Sequence, residues 1–540
     1  MMSRLSACLT GLLLAGAAAL ALPALAADDA TPKRGGVVVI GTDGAGLTTL
    51  NSQTSTATAV LMVADIWADG LYARDRKGEK APHLATSWEI APDGKRYTFH
   101  LRPGLKWSDG QPFTSADVAF TLNEATKFNP FWGQVLLNVA GAETPDDNTF
   151  VMVMKNPFAA AFEALDKENF AILPKHIYAN TDILQNPANR MPVGMGPYRL
   201  VKYDQGRALT FERNPYFWQA GKPYLDGLVM AVIPDTQQQV NALLRGEIDF
   251  MKLPYTQVAR VKEAGARTGK VMARQVEISA PERASLDLNT TKPPFNDARV
   301  RQAMLIAMDR TRIVSDAYFG LAQLAGNAIP EQFTTLTDPS VKYSDMYAYD
   351  PARAARLLDE AGYKLVDGKR FAVELTYANS EFNRITIEPI AQILAAQWKA
   401  IGVEAKLVGL DDQLWLDKVY VKNDFEASLV SLTGRTDPTL GVDRSFRCNP
   451  KHLPYTNPTG YCNPELEALA DSANAALPAD RAQFYKSYIR IVARDLNEIT
   501  LTNVPTFHGI STRFMGLDAQ FDISFNEYPN WAEVWLKSGK

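Results

Sequence analysis

Cysteine and histidine are scarce in this chain: three and five among 540 residues. His83, His100, His176, His452 and His508 are scattered, and no two share the i, i+4 spacing of a helical metal pair. No metal site and no cofactor is expected. HExxH, GxSxG and a Gly-rich Walker-type lysine loop are all missing, so the common hydrolase and nucleotide-binding chemistries have no residues to work with. Net charge is only −4 and no long Lys/Arg block occurs, which removes nucleic acid as a partner. Low-complexity tracts are missing too.

What is present first is an address. Arg4 supplies a positive start, Leu9–Leu22 an apolar run, and Ala24-Leu25-Ala26 a small-x-small cleavage signal. Residues 1–26 read as a signal peptide, with Ala27 as the first mature residue. The alternative is a membrane anchor, but the run is short for a bilayer span, and no second long apolar stretch follows. Cleavage removes Cys8 and leaves Cys448 and Cys462 in a Pro/Asn/Gly-rich segment. In an oxidising compartment such a pair reads as a disulfide, the alternative being two buried thiols.

The mature chain is long enough for two or three domains. Gly35–Gly41 is a continuous apolar strand of the kind covered on both faces. Trp88–Ile90 and Tyr97–Leu101 flank Asp93-Gly94 as a hairpin. Ser115 is placed to cap a helix running to about Thr126. From Asp235 onward helices and strands alternate: a helix capped by Asp235, a strand at Ile248–Phe250, helices opened by Asp297 and by Asp350-Pro351, one over Pro389–Ala400, and a strand at Val403–Val408. The fold class is α/β.

Several stretches together resemble the family 5 extracellular solute-binding proteins, the dipeptide, oligopeptide, nickel and opine binders of ABC transporters. They are Leu84-Ala-Thr-Ser-Trp-Glu-Ile90, Pro92-Asp-Gly-Lys95, Leu101-Arg-Pro-Gly-Leu-Lys-Trp-Ser-Asp-Gly-Gln-Pro-Phe113 and Ser115-Ala-Asp-Val118. Further along stand Gly194-Met-Gly-Pro-Tyr198, Arg213-Asn-Pro-Tyr-Phe-Trp218, Lys222-Pro-Tyr-Leu-Asp226, Asn289-Thr-Thr-Lys-Pro-Pro-Phe295, Val300-Arg-Gln-Ala303 and Gly460-Tyr-Cys-Asn-Pro464. Each is short; their order and separation carry the resemblance.

The resemblance implies a two-lobed periplasmic-binding-protein clamp of class C type, with an extra β-rich subdomain in lobe 1. Lobe 1 would take 27–80, 190–282 and 508–540, the extra subdomain 81–189, and lobe 2 283–507. Chain crossings would lie near Ser279–Arg283 and Thr506–Thr512. It also implies a periplasmic monomer that captures a peptide or peptide-like solute by lobe closure and delivers it to an inner-membrane permease with its ATPase. A receptor for an opine, modified sugar or amine is the alternative on the same fold. A periplasmic enzyme and a chaperone or sensor partner are the rivals outside it.

Site residues follow from the same resemblance and from position. Asp437, in the loop after the apolar strand Ser428–Leu432, matches the family position that pairs with a ligand's ammonium group; it also reads as a helix N-cap before Pro438. Arg435 would bind a ligand carboxylate or hold Asp437. Dipeptide binders place an arginine where Ser380–Arg384 runs here, and Glu381 falls nearest that position, with Arg384 close by. A free dipeptide is thereby put in doubt. Phe382, Trp415 and Tyr420 are ligand-stacking aromatics or ordinary packing. From lobe 1, Thr48, Asn51 and Trp67 are cleft candidates, and Gly194 and Gly196 would let backbone approach closely at the lobe interface.

Overall fold

The computed structural model describes residues 31–44, 47–55, 57–75, 79–129, 132–276, 282–331, 333–432, 434–435, 437–476, 480–517 and 528–537. The expected signal peptide and cleavage site lie outside them. Among the described residues no helix is long and apolar enough to cross a membrane.

Sheets of seven, six and four strands carry the architecture. At the centre of the largest is Val37–Thr42, flanked in parallel by Gly227–Val232 and Phe250–Lys252. Val38 and Ile40 are fully buried on one face; on the other Val39 is partly buried and Val37 exposed, so the cover expected on both faces is incomplete at the strand's start. Thr506–Ser511, Val271–Val276, Ala208–Arg213 and Tyr198–Asp204 complete this sheet. The strand expected at Ile248–Phe250 begins at Phe250 instead. Asp249 precedes it because its buried carboxylate accepts the Val39 N–H (3.0 Å) and pairs with Arg513 (2.6 Å).

The six-stranded sheet runs Gln323–Leu324, Glu498–Val504, Glu282–Leu288, Ala427–Leu432, Phe371–Ala378, Val403–Leu410. Its last two strands are parallel and joined through the helix Glu388–Lys399, a crossover unit. Asp235, Asp297 and Asp350 each cap the helix that follows with a side-chain oxygen. The four-stranded sheet is antiparallel, ordered Ala85–Ile90, Arg96–Leu101, Thr149–Met154, Val139–Asp146. Its first hairpin turns at Asp93-Gly94, where Gly94 has φ +65°. The helix after it is capped by Thr114, not Ser115. The Thr114 N–H donates to Asp117 (2.9 Å), and the Ser115 hydroxyl is spent on the Asp146 carbonyl (2.6 Å). The α-helix ends at Phe120 and widens into a π turn over Thr121–Ala125.

The chain passes from the first large sheet to the second between Val276 and Glu282; Ser279–Pro281 of the expected crossing lie outside the described residues. It returns at Pro505. Thr506 and Phe507, expected in the second lobe, pair instead with Val276 and Gln275 of the first sheet. Proline has no N–H to give a ladder, so it separates the two strands sharply. The Tyr255 hydroxyl donates to its carbonyl (3.0 Å). The result is a two-lobed α/β molecule.

Cys448 and Cys462 form a disulfide, with Cα atoms 4.7 Å apart and a separation of 14 positions in sequence. It ties down a segment poor in regular structure, and closing a loop of that size stabilises by about 3 kcal/mol in the chain-entropy account. Reduction and alkylation should lower unfolding stability by that amount, read by urea titration. No change would mean the segment is held without the bridge.

Candidate functional site

The second lobe presents a loop and one short helical turn, Pro438–Gly441, directly after the strand Ala427–Leu432. Asp437 opens that turn. Its Oδ1 accepts the Thr439 N–H at 2.9 Å, the N-cap arrangement. Both carboxylate oxygens also take Arg481, Nη1 to Oδ2 at 2.5 Å and Nη2 to Oδ1 at 2.8 Å. Burial would raise the Asp437 pKa, but the Arg481 guanidinium reverses this and holds it below the ordinary carboxylate range. Asp437 is thus occupied within its own lobe, by a residue from the helix Arg481–Asp495.

Around this pair runs a buried polar network. The Thr439 hydroxyl donates to Asn474 Oδ1 (2.6 Å), accepts from Arg481 (2.9 Å) and lies 2.9 Å from the Tyr485 hydroxyl. Arg283 donates to the Gly441 carbonyl (3.1 Å) and to Ser445 (3.0 Å). The loop is therefore fixed from two sides. Asp443 lies 3.3 Å from the Tyr485 hydroxyl, and burial raises its pKa to about 7. Its native pKa stands above the unfolded value, so stability falls as pH rises from about 4 to about 7 and is flat above. Asp443→Asn should therefore gain on the wild type across that window, by about 4 kcal/mol at most. Urea unfolding at about pH 4 and about pH 8 measures it. A constant difference between the two proteins would refute the assignment.

Arg435 lies in the same loop, 3% exposed. Burial first, and then the like charge of Arg444, push its pKa well below the usual arginine value, while Asp166 and Glu168 act the other way. Asp166 lies outside the six-stranded sheet, in a bridge with Tyr72. The Asp437 carboxylate is held by Arg481. The Arg435 stem rests on Gly441, where a Cβ would stand only 2.9 Å from the Arg435 Cβ.

Contacts cross between the lobes here. The Ala159 N–H donates to the Asn474 carbonyl at 2.8 Å. Leu440, 6% exposed, belongs to the apolar cluster built by Tyr97, Phe99, Phe158, Phe162, Leu165 and their neighbours beneath the four-stranded sheet.

The other candidates separate. Trp415 and Tyr420 are buried, 5.4 Å apart edge to face, within an apolar cluster of Ala378, Val419, Phe425, Val430 and Leu432. The Trp415 Nε1 donates to Ser428 (3.0 Å), so this indole is satisfied by packing. Asn51 is fully buried in the first lobe, donating to Asn189 (2.9 Å) and accepting from the Gln53 N–H (2.9 Å). Thr48 is exposed. Trp67 is 1% exposed, and its Nε1 has no hydrogen-bond partner among the described residues. Gly194 and Gly196 do permit a close approach, but to Trp67 inside the first lobe: the Gly196 N–H donates to the Trp67 carbonyl (2.8 Å), and a Cβ on Gly194 would sit 1.9 Å from that oxygen. Glu381 and Phe382 start the helix Glu381–Thr386, but their side chains lie outside what is described; Arg384 is exposed. Sequence reasoning missed Arg481, Asn474 and Leu440. A long helix with Arg at its first position, two turns before Tyr488, carried no motif to mark it. Among the described residues no cluster of three or more His, Cys, Asp and Glu side chains is arranged to hold a metal ion.

Residues 79–451 match the bacterial extracellular solute-binding proteins, family 5. The glutathione-binding protein GsiB of Salmonella typhimurium is 30% identical over 489 residues, 88% of this chain and 89% of that one. The ABC transporter substrate-binding protein CtaP of Listeria monocytogenes superposes with a TM-score of 0.80 at 25% identity, over 93% of this chain and 100% of its own. AgaA of A. tumefaciens, solved with agropinic acid, superposes at 0.78 and 24% identity, over 94% and 99%.

Proposed function

The chain belongs to the bacterial extracellular solute-binding proteins of family 5, and we propose that it is the capture component of an ABC importer, closing on a peptide or peptide-like solute whose carboxylate is held by Arg435. The observation that carries this reading is the burial of Arg435 in the loop before the Pro438–Gly441 turn, where Arg444 opposes its charge more than Asp166 and Glu168 favour it. A guanidinium kept there against burial and a like charge is suited to a ligand carboxylate, which it meets with a bidentate fork. Trp67 is the proposed donor from the first lobe, since its N–H is buried without a partner among the described residues. Glu381 and Phe382 stay as proposed contacts at the helix start Glu381–Thr386. Asp437 serves by shaping the loop rather than by touching the solute.

An acidic solute suits the ligands named for two relatives, glutathione for GsiB and agropinic acid for AgaA. Opines are therefore the second ligand class. The partners are an inner-membrane permease and its ATPase, and the receptor works as a monomer that returns its solute unchanged. Export through residues 1–26 places it in the periplasm.

Thermal shift against dipeptides, reduced glutathione, opines, amidated peptides, amines and sugars tests the reading. Ligand at about 100 times its Kd adds about 2.7 kcal/mol of stability. Stabilisation by free acids and not by their amides is the expected pattern. Stabilisation confined to amines or sugars would overturn the carboxylate assignment, and chemical conversion of the solute would overturn the receptor role.

A further inference from the structure

We propose that the extra subdomain is the seat on which the second lobe closes, and that Leu440 is the latch. This rests on the receptor reading only in taking the lobes to move. Leu440 is the one buried member that the second lobe contributes, among the described residues, to an apolar cluster otherwise drawn from Leu71 to Met195. A leucine on a one-turn helix of a lobe-facing loop would be exposed if its lobe stood apart. Here it is 6% exposed. Burying an apolar side chain only in the closed state favours that state, because the area removed from water exists nowhere else on the path.

The surroundings are built to aim it. Thr439, immediately before Leu440, is bonded to Asn474, Arg481 and Tyr485. Gly441, immediately after, has its carbonyl held by Arg283. Asn474 also reaches the other way, its backbone carbonyl taking the Ala159 N–H across the lobes. One residue thus ties the latch platform to the opposing surface. Ala159 lies beside Phe158 and Ala160, both members of the cluster that receives Leu440. Arg435, two positions before Asp437, adds attraction toward Asp166 and Glu168 of the same surface. An apolar plug, a backbone hydrogen bond and opposite charges therefore converge on residues 158–168, which belong to the extra subdomain and not to the seven-stranded sheet. Leu440 is a positioning residue: it sets how often Arg435 meets its closed-state surroundings, with no contact to solute required.

Disulfide trapping tests this without solute. Ala159→Cys and Ala475→Cys, placed beside the interlobe hydrogen bond, are introduced into the full mature chain. Bridging under mild oxidation is then followed by peptide mass, separately from the Cys448–Cys462 bond. Adding Leu440→Asn should slow bridging at least about tenfold, in proportion to the closed population. Leu440→Met should leave the rate near that of the parent, and Leu440→Ala, the gentler truncation should Leu440→Asn fold poorly, should fall between. Equal rates in all variants, or no bridging in the parent, would overturn the latch. Solute binding by the unmodified chain is measured apart by thermal shift, so a failed latch and a failed receptor reading give different results.

Discussion

Replacing Arg435 with Ala should weaken binding of a carboxylate-bearing solute by about 100-fold, while leaving the solute-free protein as stable as before or more so. The first half follows from the cost of removing one partner of a buried, hydrogen-bonded charge pair, about 2–5 kcal/mol, of which each 1.4 kcal/mol is tenfold in affinity. The second half separates a binding residue from a structural one. Burial and the neighbouring Arg444 work against the Arg435 charge and outweigh Asp166 and Glu168, which favour it, so the chain retains this cation at a cost. Residues retained for function commonly stabilise the protein when removed. Arg435→Lys should recover little, since a point charge does not reproduce the fork that meets both oxygens of a carboxylate. Isothermal titration with the best free-acid ligand, together with thermal melting of the empty protein, measures both halves. Unchanged affinity, or a large loss of stability without ligand, would make Arg435 a structural residue.

How much of this was legible beforehand depends on the range over which each feature is decided. The strand Val37–Thr42, the hairpin at Asp93-Gly94 and the caps at Asp235, Asp297 and Asp350 are local: a few neighbouring residues determine them, and their positions read directly from the chain. The disulfide was legible because only two cysteines survive expected processing. The site was not local. Asp437 satisfies its charge with a residue 44 positions away, and no periodicity announces that partner. Leu440 reads as an ordinary apolar residue in a loop, because its receiving surface lies near Phe158 and Phe162. Trp415 and Tyr420 had the composition of a ligand cage and the surroundings of a small core; Ser428, which satisfies the indole, belongs to a strand whose alternation says nothing of its hydroxyl. The family motifs identified the scaffold, and they leave open which side chains meet a solute.

The Asp437–Arg481 pair allows the two roles of Asp437 to be told apart. If the carboxylate binds a solute's ammonium group, Asp437→Asn should cost affinity and little stability. If it holds the loop, the reverse order holds. The geometry favours the second: Arg481 is 6% exposed at its side chain, and its guanidinium spends two donors on Asp437 and shares one of them with Thr439. Asp437→Ala should therefore destabilise the second lobe by about 3–5 kcal/mol, chiefly because a buried guanidinium is left without its counter-charge. Arg481→Met should cost a comparable amount. Asp437→Asn combined with Arg481→Met should cost clearly less than the two single changes added together, since neither charge is then stranded. The pH dependence has a definite sign. The folded-state pKa of Asp437 lies below its unfolded value, so the stabilisation is complete above the ordinary carboxylate range and is lost as pH falls through the folded pKa. Asp437→Asn should accordingly flatten the acid limb of the stability curve, opposite in sense to Asp443→Asn, which acts on the rise from about pH 4 to about pH 7. Urea titrations of the four proteins of the cycle give the coupling energy. Strict additivity would dissolve the pair as a structural unit and return Asp437 to the ligand.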